Sequence, residues 1–173
     1  THNYQIVVKV TLDLTVGSGC DNVYRKCGFT NPGDPTAGEG LFNESRIDTN
    51  DDGVVDEKSK ACGDLPYIIN RKTIVSTTPL GGNMFQVNYQ IEVRNIGGLS
   101  GQYDLVDAPA FDDDITINNA SFTTSVAGNP GGSLPGNGPW LLANDQNIAV
   151  GVVHTYQLSV KVTLDLTVGS GGD

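Results

Sequence analysis

The oxygens best placed to do chemistry are those of Asp48, Asn50, Asp52 and Asp56, in the run Asp48-x-Asn50-x-Asp52-Gly53-Val54-x-Asp56. Side-chain oxygens at alternate positions can converge on one hard cation. A glycine at the sixth position permits the sharp turn, and the Val54 carbonyl falls where the seventh position donates a backbone oxygen. Asp56, ninth, can bind directly or through water. Ser59 stands at the twelfth position, where an EF-hand carries its bidentate acid, so Glu57, a water or another strand would have to complete the shell. With no flanking helices in the pattern, the expectation is a structural Ca²⁺ that stiffens a long insertion. Its affinity would lie in the weak extracellular range of about 10⁻⁴–10⁻³ M. The alternative is an Asx-rich solvated turn that needs no metal. Asp112, Asp113 and Asp114 form a second acidic group, which reads more readily as a solvated bend, because successive side chains in a run diverge.

Cysteine is the other reactive type. Cys20, Cys27 and Cys62 leave an odd one. Cys20 aligns with Gly172 in an internal repeat described below, so a second copy manages without a thiol there, which favours a Cys27–Cys62 disulfide. That bond would close a loop of about 36 residues and stabilise by about 4 kcal/mol on the chain-entropy account. Three reduced, buried thiols are the alternative. Zinc lacks a CxxC pair, and His2 and His154 are copies of one repeated position. Asn43 and Asn119 open N-x-Ser sequons and are glycosylation acceptors if the source organism glycosylates. No nucleophile with a neighbouring base, no carboxyl pair in apolar surroundings and no phosphate-cradling glycine loop is evident. A non-enzymatic protein is the expectation.

The elements that position these residues are strands. Residues 4–19 (YQIVVKVTLDLTVGSG) return at 156–171 (YQLSVKVTLDLTVGSG), an offset of 152. In both copies apolar residues alternate: Tyr4, Ile6, Val8, Val10, Leu12 and Leu14, then Tyr156, Leu158, Val160, Val162, Leu164 and Leu166. Period two marks a long strand with one dry and one wet face. Thirteen residues at ~3.3 Å each span roughly 43 Å. Further strands are expected near 67–76, 85–94, 103–106 and 115–124. Residues 56–62 could manage a turn of helix, residues 127–138 read as a surface loop, and Trp140 should drop into the core. A chain of 173 residues, with 22 glycines and no sustained 3.6-residue apolar period, fits an all-β antiparallel sandwich.

Charge narrows the partners. Ten bases against twenty acids leave −10 at pH 7, which disfavours nucleic acid and anionic membrane surfaces. No apolar run is long enough to cross a bilayer.

Three stretches carry a resemblance. GEGLFN (38–43) with the later ACGDLP (61–66), VNYQIEVRNIG (87–97) followed by YDLVDAPAF (103–111), and Trp140–Leu166 with IAVG before HTYQLSVKV resemble the Ig-like bacterial surface repeats known as domain of unknown function 11. The resemblance implies Ig-like sandwiches in tandem on exported proteins, Cys27 and Cys62 as the disulfide pair, and no enzymatic activity. It also implies a frame in which residues 1–65 close one module and residues 66–173 open the next. The expected function is a repeat of an extracellular filament or cell-surface stalk. It would be joined end to end with copies of itself through the repeated strand, by covalent continuity or by strand donation. The second reading is an adhesin that binds carbohydrate through Trp140 and the tyrosines.

Overall fold

A computed structural model describes residues 1–11, 26–28 and 31–167. Among the described residues nine strands form in chain order: β1 (Asn43–Ile47), β2 (Glu57–Ala61), β3 (Ile68–Gly81), β4 (Met84–Asn95), β5 (Gly101–Asp107), β6 (Ile115–Thr124), β7 (Gly132–Leu134), β8 (Trp140–Ile148) and β9 (Val153–Leu164). Among the described residues there is no helix.

The architecture is an all-β antiparallel sandwich. One sheet has the order β3-β4-β9-β6-β7, and β5 pairs with β8 in a second. Alternation builds the core between them. Ile91 and Val93 of β4 and Tyr156, Leu158, Val160 and Val162 of β9 meet Leu105 of β5 and Trp140, Leu142 and Ile148 of β8 in one buried cluster. The β3–β4 hairpin turns through Gly81, Gly82 and Asn83, all at positive φ, a conformation that glycine and asparagine adopt at least cost.

Charged β1 and β2 form a separate hairpin, closed by the Asp56 amide donating to the Ile47 carbonyl at 2.9 Å. It joins the sandwich through residues 64–68. There the Gly98 amide donates to the Leu65 carbonyl at 3.1 Å, and the Ile96 amide to the Tyr67 carbonyl at 2.8 Å. Gly97 is required here, because a Cβ would lie 2.3 Å from the Tyr67 nitrogen.

Three local expectations are corrected. The helical turn at 56–62 is strand β2, since pairing with β1 satisfies backbone groups that an isolated turn of helix would leave open. The loop at 127–138 contains β7, a three-residue edge strand against Ala120–Phe122. The strand expected to start the chain carries no strand pairing over residues 1–11, all of which are exposed. Leu12 and Leu14 lie outside the described residues. The second copy pairs over Val153–Leu164, and Leu166 lies beyond its end, exposed.

Candidate interaction site: the β4–β6 slot and its strand

β9 is hydrogen-bonded on both sides. Along β4, Val160 faces Val87, Leu158 faces Tyr89 and Tyr156 faces Ile91. Along β6, Val160 faces Ala120 and Leu158 faces Phe122. Tyr156, Leu158, Val160 and Val162 are each no more than 5% exposed. Burial of four such side chains contributes about 1.5–3 kcal/mol each relative to exposure, so the slot between β4 and β6 depends on the strand that fills it.

Polar groups also pair across the strands in this register. Tyr103 Oη of β5 lies 2.7 Å from His154 Nδ1 and 2.8 Å from Tyr156 Oη. Burial holds His154 below the usual imidazole range and pushes both tyrosine hydroxyls up, with the Tyr103–Tyr156 hydrogen bond adding to the rise at Tyr103. On the outer face, Gln157 Nε2 donates to Gln90 Oε1 at 2.8 Å. Asn118 Nδ2 donates to Thr163 Oγ1 at 2.6 Å.

The first copy carries the same set one period earlier. Of the twelve β9 residues, four change (Val153 to Thr1, Thr155 to Asn3, Leu158 to Ile6, Ser159 to Val7) and the other eight are identical. The four core positions become Tyr4, Ile6, Val8 and Val10, which are 87%, 73%, 70% and 53% exposed. One sequence thus occupies two environments in one chain, the centre of a sheet and open solvent.

The other expected site residues fall elsewhere. Asp48, Asn50, Asp52, Val54 and Asp56 form the β1–β2 connection, all exposed. Asp48 accepts the amides of Asn50, Asp51 and Gly53 at 2.8–3.2 Å, and Asp52 accepts that of Val54 at 2.8 Å. Desolvation pushes the Asp48 carboxyl up, but the amide bonds outweigh it and leave it below the usual carboxylate range. The Thr49 hydroxyl and amide, both donating to Asp56, lower that carboxyl as well. Gly53 and Asp51 take positive φ, at 80° and 58°. The loop therefore has the compact turn that the glycine spacing demands, but both Asp48 carboxylate oxygens are turned onto backbone amides, and the carboxylates of Asp48, Asp52 and Asp56 do not converge as a group. Asp112, Asp113 and Asp114 bring three carboxylate oxygens within 4.8 Å of one another on the bend before β6.

Cys27 and Cys62 are joined, with Cα atoms 5.9 Å apart; Cys20 lies outside the described residues. Gly40 presses on the bond at φ 43°, where a Cβ would meet the Gly63 oxygen at 2.5 Å and Cys27 Sγ at 3.0 Å. Glu39, 1% exposed, accepts the Gly28 and Thr36 amides beneath it. Asn43 and Asn119 are both exposed, on β1 and β6. Trp140 is 2% exposed and donates Nε1 to the Pro135 carbonyl at 2.9 Å, so its ring offers no face for stacking on a sugar.

Two polar centres have no local signature in the sequence. Asn95, fully buried, accepts the Tyr67 and Gly97 amides and donates to the Leu99 and Ile148 carbonyls. Lys72 of β3 lies 2.5 Å from Asp107 and 4.6 Å from the centre of the Tyr89 ring. Asn95 joins its own turn to Tyr67 and Ile148, and Lys72 reaches Asp107, so the distant partners are revealed only by the tertiary structure. Comparison of the chain with known protein families, curated proteins and solved structures finds no match.

Proposed function

We propose that this chain is a structural repeat of an extracellular filament or cell-surface stalk, linked to copies of itself through the repeated strand. The reading rests on the near-copy of the buried strand β9 at residues 1–11; it requires both copies to lie in sheets, and since residues 1–11 of the single chain are exposed and without strand pairing, another copy would have to supply theirs. An apolar strand left in solvent is a template for pairing, and proteins do not keep one without a partner or a cover. The Cys27–Cys62 bond supports an oxidising compartment, as does the resemblance to tandem Ig-like bacterial surface repeats. In this frame residues 1–65 close one module and residues 66–173 open the next. Ca²⁺ at Asp48, Asn50, Asp52, Val54 and Asp56 would stiffen the appended hairpin, and no catalytic step is assigned to the chain.

Imaging of the native material tests the proposal. Filaments with a regular axial repeat support it, and dispersed single globules at high protein concentration refute it. Denaturing gels under reducing conditions then separate a covalent array, which runs as one very large band, from a polymer of separate small subunits.

A further inference from the structure

We infer that residues 2–11 are a second-copy strand: they seat in the β4–β6 slot of another copy of this chain, in the register β9 uses. The inference rests on the assembly reading above and specifies its joint. Ile6 and Val8 then face Tyr89 and Val87, the partners of Leu158 and Val160.

Three observations converge on this occupant. The apolar set matches, since Tyr4, Ile6, Val8 and Val10 reproduce the buried row of β9 with one Leu-to-Ile change. That swap conserves volume, the kind of change cores tolerate best. The polar set also matches. His2 and Tyr4 restore both partners of Tyr103, and Gln5 restores the partner of Gln90. The Tyr103 hydroxyl is half-buried, where losing its partners carries a cost, so a strand that satisfies both sets is selected over a merely apolar one. Finally, β9 already lies between β4 and β6 in the described sheet, and residues 1–11 make no strand pairing there.

The arrangement also explains the 152-residue period. Carried back one period, the first copy stands where β9 stands in another copy. In a single chain, β9 holds the slot by its high effective concentration, about millimolar for a short tether. Residues 2–11 therefore enter wherever another copy's slot lacks β9 or releases it. An incoming strand of nearly the same sequence replaces the same contacts, which makes exchange low in cost.

The test uses the full chain with C20S. Gln90 contacts Gln157 within a chain, whereas the inference places Gln5 of a second copy there. In a Q5C/Q90C variant, oxidation captures even a minor exchanged population. The expected result is a ladder at multiples of 18.2 kDa that grows with protein concentration and is absent from either single variant. Adding L158A/V160A loosens the chain's own strand and should raise the ladder's initial rate at least tenfold, while adding I6D/V8D should abolish it. Absence of a ladder in both the parent and the L158A/V160A backgrounds overturns the inference. So does a cross-link confined within single chains. Native filaments combined with a negative trap would refute this joint and leave the filament reading standing; a ladder from a protein whose native form is dispersed would do the reverse.

Discussion

Tyr103 Oη and His154 Nδ1 lie 2.7 Å apart, and the same hydroxyl reaches Tyr156 Oη at 2.8 Å. One side chain of β5 thus ties the smaller sheet to two same-face residues of the central strand. Y103F leaves both partners short of a hydrogen bond and should cost about 1–3 kcal/mol, read as a lowered denaturant midpoint with an unchanged slope. A midpoint equal to the parent's would show that the triad is not structural.

The burial of His154 also sets a pH dependence. Its folded value lies below the ordinary 6.5, so in the window below 6.5 the unfolded chain binds more protons than the folded one. Stability is therefore full above that window and falls as pH drops through it. Thermal melts from pH 7.5 to 5 should show the loss, and H154Q should flatten it. The lowered carboxyls of Glu44, Asp48, Asp56, Glu92 and Asp165 act in the same direction, but only near and below their ordinary values of 3.8–4.5.

Val8 and Val160 are the same residue at equivalent positions of the repeat, 70% and 1% exposed. V160A should cost about 2 kcal/mol through lost burial and a cavity, whereas V8A should stay within about 0.5 kcal/mol in the dispersed chain. Equal effects in chemical denaturation would contradict the two environments.

Asn95 makes four hydrogen bonds from a fully buried site. N95A strands two amides and two carbonyls, and a loss of at least about 3 kcal/mol is expected. At about 2–4 °C per kcal/mol for a domain of this size, the melting temperature should fall by roughly 6–12 °C. A drop of under 2 °C would mean that water replaces the side chain.

Calcium can be read at the β1–β2 connection alone. If Ca²⁺ binds there, tenfold excess over its dissociation constant should slow proteolysis of residues 48–56 about tenfold, and D48A should abolish the protection. Identical cleavage with calcium and with chelator would leave the loop a plain Asx turn.

Alternation made the strands legible. Period two over 115–124 and 85–94 corresponds closely to β6 and β4, because a pleated strand must send successive side chains to opposite faces. The Cys27–Cys62 pairing was legible too, through the repeat that spares Cys20. Local pattern failed at residues 57–61 and 132–134, where strand identity came from a partner rather than from propensity. The sequence by itself determined which segments could be strands and which face of each was apolar. Only the tertiary structure decided which copy of the repeated segment is a strand, because eight identical residues of twelve carry the same propensity, and a sheet has room between β4 and β6 for one of them. Tyr103, Asn95 and the Lys72–Asp107 pair belong to that second category, since each has a partner many residues away in the chain.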